Sequence, residues 1–246
     1  MITTYHRPQT LDEALTLLAQ PNTVPLGGGT LLSTLKTDPV EVVDLQSLGL
    51  DSINQIGNNL EIGATARLQS LLDFEHCPEA LKSALKLEAP LNLRNAATVA
   101  GALVACDGRS TLATALLALD ARMESSDSVT QSRVSGLGDF LPLRPRGLIT
   151  SITIPLNVKL AFDYVSRTPA DKPIVCVALA QWKSGRTRLA VGGYGKSPML
   201  AMDGTESTGA EEAARNAFHE AADEWASAEY RMEIAATLAK RCLEEI

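Results

Sequence analysis

Basic clusters are missing from this sequence. No run of Lys or Arg exceeds two residues, and 22 basic against 29 acidic residues leave a formal charge of −7 and a pI near 5.1. A protein that neutralises a phosphate backbone needs a basic face, so nucleic acid is discarded as a partner. Long apolar runs are missing as well: nothing approaches the roughly 20 apolar residues that cross a bilayer. The opening Met1-Ile2-Thr3-Thr4-Tyr5-His6-Arg7-Pro8 has no apolar stretch of the secretory kind. The expected location is cytoplasmic, with no membrane partner. Cysteine and histidine are sparse and scattered: Cys77, Cys106, Cys176 and Cys242, like His6, His76 and His219, make no C-x-x-C pair or other ligand spacing. No metal site is expected on this chain, neither iron–sulfur nor zinc, and each cysteine reads as a small buried hydrophobe. The sequence also lacks G-x-S-x-G, H-E-x-x-H and a close carboxylate pair flanked by aromatics, so no catalytic residue is assigned and a cofactor is the expected source of reactivity.

What is present is the composition of a globular protein with a substantial core, 45% hydrophobic and 21% charged, enough for one large domain or two modest ones. Thr10-Leu11-Asp12-Glu13 reads as a capping box ahead of a helix striped by Leu11, Ala14, Leu15, Leu17 and Leu18. Thr23 to Leu26 predicts a strand running into Gly27-Gly28-Gly29-Thr30, with a second helix opening over Leu31 to Lys36. Short strands are expected at Glu41–Leu45 and Leu60–Ala64, helices at Leu68–Phe74, Glu79–Leu87 and Thr111–Ala121, and a strand at Arg122–Glu124, with Ser125–Ser128 a loop. Leu91 to Gly101 is a small-residue stretch without clean periodicity, suited to backbone that lies close to something. A strand ends at Pro155, and Asn157-Val158-Lys159 reads as a linker, which places a domain boundary there. Beyond it, Ala161–Arg167, Ile174–Trp182 and Thr187–Gly193 predict three strands, the middle one open to a helical reading because of its alanines. Helices follow at Gly209–Ala222 and Ser227–Glu245.

Two glycine-rich segments invite an anion. In Gly27-Gly28-Gly29-Thr30, consecutive glycines let backbone N–H groups converge on a diphosphate without Cβ obstruction, although such triplets are also ordinary tight turns. It is not a G-x-G-x-x-G fingerprint, because Leu32 occupies the last glycine position. Gly192-Gly193-Tyr194-Gly195-Lys196-Ser197 ends like a phosphate loop, but its first glycine would fall at Ala190, and Pro198 stands where a long helix should begin.

The order of these segments resembles the FAD-binding subunits of the carbon monoxide dehydrogenase and xanthine dehydrogenase family, the molybdenum hydroxylases. The residues that carry it are Tyr5-His6-Arg7-Pro8, Leu11–Leu15, Pro25–Leu32, Val43–Leu45, Leu60–Ala64, Leu93–Gly101, Ala115–Ala121, Ile152–Pro155, Arg186–Gly193 and Ser227–Arg231. The resemblance implies an α+β fold: a two-subdomain FAD-binding domain of the PCMH/VAO type over residues 1–156, with subdomains about 1–55 and 56–156, then a small C-terminal domain at 157–246 built on a three-stranded antiparallel sheet with helices. It implies noncovalent FAD, its diphosphate held by two segments. Those are Pro25, Leu26, Gly27, Gly28, Gly29, Thr30, Leu31 and Leu32, and Thr98, Val99, Ala100, Gly101 and Ala102, with Thr111 in the following loop. No His or Cys in either segment suggests a covalent link. Partners implied are an iron–sulfur subunit and a molybdopterin subunit, in a heterotrimer or its dimer, with NAD or another acceptor taking the electrons. The chain departs from the family pattern at Leu31, Ala100, Ala102 and Thr111, where polar or glycine residues are usual; each change removes a feature worth about 1 kcal/mol if unreplaced. Asp107, Arg109 and Ser110 are the nearby groups expected to substitute. A scaffold subunit that has lost flavin, or a stand-alone flavin oxidoreductase, are the alternatives.

Overall fold

The structure, a computed structural model, describes residues 1–32, 38–128 and 131–246. It opens with β1 (Ile2–His6), α1 (Leu11–Leu18), β2 (Thr23–Leu26) and β3 (Val40–Asp44), whose strands form a parallel sheet in the order β1-β3-β2. The hydroxyl of Thr10 accepts the Glu13 N–H at 3.2 Å and starts α1 as expected, while Glu13 reaches back to the amide of Gln9, at 2.9 Å, instead of Thr10. The helix buries Ala14 and Leu15 against Val43, Leu45 and Leu148. The helix expected over Leu31 to Lys36 lies outside the described residues beyond Leu32.

A five-stranded antiparallel sheet follows, in the order β4-β5-β8-β6-β7, from β4 (Ile53–Ile56), β5 (Asn59–Gly63), β6 (Arg122–Ser128), β7 (Gln131–Gly136) and β8 (Leu148–Pro155). Helices α2 (Leu68–Asp73), α3 (Glu79–Glu88), α4 (Leu91–Arg94), α5 (Val99–Ala105), α6 (Thr111–Ala118) and α7 (Leu137–Leu143) lie between its strands in sequence. Ser125 to Ser128 is strand and not loop: Ser125 and Ser126 pair with Arg133 and Ser132 on one side and with Ile149 and Leu148 on the other. Backbone pairing on both edges overrides the turn preference of serine.

The last unit is a four-stranded antiparallel sheet, β12-β11-β10-β9, made of β9 (Val158–Val165), β10 (Val175–Trp182), β11 (Thr187–Gly192) and β12 (Met199–Gly204), backed by α8 (Ala210–Asn216) and α9 (Ala228–Glu245). The expected mixture of helices and sheets stands, with a fourth strand added at Met199–Gly204. Val158 and Lys159, expected in a linker, already pair with Trp182 and Gln181.

Strand β10 explains how the two halves meet. Val175, Val177 and Leu179 face one way, into a core with Phe218, Leu238 and Cys242; Ala178 and Ala180 face the other, into the core of the five-stranded unit. Small residues on that second face leave room for α6, all eight residues of which are buried. Arginines of β11 and its preceding turn then clasp the end of α6. Arg188, 7% exposed, bonds the Leu117 carbonyl at 3.2 Å and pairs with Asp203 and with Asp120 at 3.3 Å, while Arg186 makes two 2.9 Å bonds to Asp203 and one of 3.0 Å to Asp120. The Arg186 hydrogen bond, aided by Arg188, holds the Asp203 carboxyl below the usual carboxylate value of 3.8. A carboxyl depressed on folding contributes stability above its ordinary value and loses it as pH falls through the folded one. Asp203→Asn is therefore expected to lower stability by about 1–2 kcal/mol at pH 7, solvent screening having reduced a larger buried-pair effect. Melting curves of both proteins should converge as the pH drops below about 4.

Candidate functional site

Strand β2 is an edge strand, which admits Pro25, and it delivers the glycine turn to a second segment at Ala96–Thr98. The approach is close. A Cβ on Gly27 would stand 2.9 Å from the Thr98 hydroxyl oxygen, and one on Gly28 would stand 1.9 Å from the Ala96 carbonyl oxygen. Gly29 adopts φ +69°, in the left-handed region. The amides of Gly27, Gly28 and Gly29 have no hydrogen-bond partner among the described residues.

The second segment is held rigidly. Arg94 ties α4 down through Gln69 and the carbonyls of Lys86 and Ala89. Leu68 N–H donates to Ala97 O at 3.0 Å and Val99 N–H to Ala66 O at 2.8 Å, so Arg67 and Thr98 form an antiparallel bridge. Thr98 caps α5, its hydroxyl oxygen accepting the Gly101 N–H at 3.2 Å. Asp51 and Thr65 are brought alongside because Thr65 N–H donates to Leu50 O at 2.8 Å. Buried Asp44, bonded to the Tyr5 hydroxyl, accepts the Gln46 N–H at 3.0 Å and fixes the last wall. Hydrogen bonding to Asp44 raises the Tyr5 hydroxyl above its ordinary pKa, so it remains a donor at neutral pH.

The result is a cleft of about 330 Å³ lined by Gly27, Gly28, Gln46, Asp51, Thr65, Arg67, Asn95, Ala96 and Thr98. A larger one, about 800 Å³, borders the other end of β2 at Thr23 and Pro25 and is closed by Leu15, Leu18, Arg146 and Leu148. Unpartnered glycine amides, a bridgehead guanidinium, hydroxyls and side-chain amides form a donor set that suits a diphosphate.

Of the residues expected at the site, Gly27, Gly28 and Thr98 come together in this cleft and Pro25 borders the neighbouring one. Leu26, Gly29 and Thr30 continue the turn, half-buried, while Leu31 is exposed and Leu32 half-buried. The others turn elsewhere. Val99 and Ala100 are packed in the core and Ala102 against it, so the Ala100 methyl does not obstruct the cleft. Gly101 is exposed, and a Cβ there would crowd the Thr98 hydroxyl at 2.8 Å. Thr111 is fully buried, donating to Ala84 O at 2.7 Å. Nor do Asp107, Arg109 and Ser110 serve the cleft: Arg109 bonds the carbonyls of Lys172 and Pro173, Asp107 pairs with Lys172 at 2.9 Å, and Ser110 caps α6 and bonds Glu88. The second glycine-rich segment is a docking loop, Gly193 donating to Gly108 O and Gly108 to Gly195 O, and a Cβ on Gly108 would meet the Tyr194 carbonyl oxygen at 1.8 Å. Sequence reading missed Gln46, Asp51, Thr65 and Arg67, which stand in no motif, and Asn95, which lies within the Leu93–Gly101 segment but was not assigned to the site.

All four cysteines are buried, and desolvation pushes the Cys106 thiol up to about 11 and those of Cys77, Cys176 and Cys242 to about 12, so none is a thiolate at neutral pH. Among the described residues no group of three or more His, Cys, Asp or Glu is placed to hold a metal, and no helix is long and apolar enough to cross a membrane.

Residues 1–157 match the family described as the FAD binding domain in molybdopterin dehydrogenase. The chain belongs to that family. The flavin-domain family member is thus a component of an oxidoreductase, related in sequence to proteins of two further kinds. It is 30% identical to the protein YgfM of Escherichia coli (strain K12) over 97% of this chain and 94% of that one. It is 29% identical to the glyceraldehyde dehydrogenase medium chain of Sulfolobus acidocaldarius over 81% of this chain and 78% of that one. Its fold superposes on a chain of the reconstituted CO dehydrogenase from Oligotropha carboxidovorans with a TM-score of 0.84, at 23% identity, covering 98% of this chain and 96% of that one. It superposes on a chain of quinoline 2-oxidoreductase from Pseudomonas putida 86 with a TM-score of 0.82, at 22% identity, covering 98% and 95%.

Proposed function

We propose that this flavin-domain protein binds FAD noncovalently, with the diphosphate in the cleft between Gly27–Thr30 and Ala96–Thr98. In this reading it relays electrons from the iron–sulfur clusters of a partner subunit, beside a molybdopterin subunit, to NAD or another diffusible acceptor. The observation that carries it is the run of three glycine amides without partners, backed against a rigid segment at a distance no side chain tolerates. When bound, the flavin supplies a carrier able to exchange one or two electrons. The chain's own residues have other tasks: the glycine amides and the hydroxyls of Thr65 and Thr98 would hold the diphosphate, and β2 positions the glycine turn against Ala96–Thr98. The reading divides the chain near residue 156, the second part closing on the first through β10 and α6.

One observation favours the scaffold alternative. The amides of Val99, Ala100 and Gly101 already donate to Ala66 O, Ala64 O and the Thr98 hydroxyl, so the start of α5 brings no spare donors. Binding then rests on the first turn and on side chains. Titration of the purified chain with FAD, followed by flavin fluorescence and the visible spectrum, decides between them. Saturable uptake of one FAD per chain is expected; a chain that stays colourless at high FAD is a scaffold.

A further inference from the structure

We infer that Arg67 is the residue that neutralises the diphosphate in this chain, an assignment that rests on FAD lying in the cleft described above. Arg67 is the cation in the cleft lining and Asp51 the carboxylate, so without Arg67 the lining would oppose an anion. Its backbone has little freedom: the antiparallel bridge to Thr98 seats it beside the hydroxyl that Gly27 approaches. Its side chain, by contrast, is exposed and makes no hydrogen bond or ion pair among the described residues. Arg94, Arg109, Arg144, Arg188 and Arg231 are committed to carbonyls or carboxylates, whereas Arg122, Arg133 and Arg146 make no such bond among the described residues but lie outside this cleft lining.

An uncommitted guanidinium on a fixed backbone, next to unpartnered amides, is preorganised for an anion. Its planar fork matches two phosphate oxygens, and a charge-assisted bond is about twice as strong as a neutral one. The start of α5 has no amides to offer and Ala100 and Ala102 carry no polar group, so a side-chain cation takes over charge neutralisation from backbone and amide donors. No sequence motif marks the position, since Arg67 simply follows β5 at the start of α2.

The experiment uses the full chain, freed of any copurifying flavin, as wild type, Arg67→Gln and Arg67→Lys, titrated with FAD at about 50 and 300 mM salt, a range over which screening changes markedly. Melting temperatures serve as the check on folding. Arg67→Gln is expected to melt with the wild type yet bind FAD roughly tenfold to a hundredfold more weakly, the span of a hydrogen-bonded charge. Its affinity should also lose most of its salt dependence, while Arg67→Lys should recover part of both. Binding by Arg67→Gln within about twofold of wild type, or weaker binding with the salt dependence intact, overturns the role of Arg67 and leaves the cleft standing. A wild-type chain that takes up no FAD overturns the cleft and Arg67 together.

Discussion

Replacing Gly28 by alanine is expected to lower FAD affinity by at least about a hundredfold, at roughly 1.4 kcal/mol per factor of ten. The new Cβ would lie 1.9 Å from the Ala96 carbonyl oxygen and 3.0 Å from the Ala97 Cα, both backbone atoms. Neither atom can give way cheaply, because Ala97 donates to Leu93 O at 2.7 Å and accepts from Leu68 N–H at 3.0 Å. The glycine turn must therefore retreat from the second segment, widening the cleft and separating the glycine amides from Thr98. Overpacking of this kind costs about 1–3 kcal/mol of stability in addition. FAD titration and thermal melting measure the two effects separately. Gly57→Ala is the control: φ there is +60° with no atom within 4 Å of the new Cβ, so it should cost about 1 kcal/mol and leave FAD binding alone. An alanine at 28 that binds FAD normally would remove the cleft as the diphosphate site.

The largest loss of stability is expected from Arg231→Met. This arginine of α9 is fully buried; it donates to the carbonyls of Ile174, Ala221 and Ala226 and to Asp223 at 2.8 Å, and its guanidinium stands 5.2 Å from the centre of the Tyr194 ring. One side chain thus joins the entry of β10, the α8–α9 connection and the loop after β11. Methionine fills similar volume but leaves the Asp223 carboxylate without its cation and the Ile174 and Ala221 carbonyls without this donor, while the Ala226 carbonyl keeps the Asp223 N–H. Breaking such a pair from one side costs about 3–5 kcal/mol, which for a chain of this size lowers the melting temperature by roughly 10 °C.

The pH dependence of that loss has a definite sign. Burial pushes the Asp223 carboxyl up, but Arg231 and the amides of Trp225 and Ala226 outweigh it and hold the group below its ordinary 3.8. The pair's contribution is present above that value and disappears as pH falls through the lowered one. Chemical denaturation of both proteins should show a gap that is widest near neutral pH and narrows below about pH 4. A gap independent of pH would mean that methionine costs stability through packing alone.

Helix starts were the most legible features. Thr10 caps α1 where the sequence places it, and α9 starts within one residue of its expected start, capped by Ser227, because a cap is a contact among residues three apart and needs no distant partner. The glycine turn was legible for the same local reason. Strands β1, β7 and β12 were not: Ile2–His6, Gln131–Gly136 and Met199–Gly204 are short, and what makes them strands is pairing with a partner strand, the sequence-distant β3 for β1 and the preceding β6 and β11 for β7 and β12. The strand expected at β10 stands, and the helical alternative that its alanines left open is closed because both faces are buried, one of them against α6. Ala100, which in sequence looks like a lost close approach, spends its methyl on the core, whereas Arg67 looks like any surface arginine until Thr98 is laid beside it.

The sequence by itself determined the family, the glycine turn and the cysteines' burial, since ordered motifs, backbone freedom and apolarity are properties of local residues. Only the tertiary structure decided which donors line the cleft. Hydrogen bonds made across the fold occupy the amides at the start of α5 and leave those of Gly27 to Gly29 without partners, and that distribution depends on distances between segments that no linear order contains.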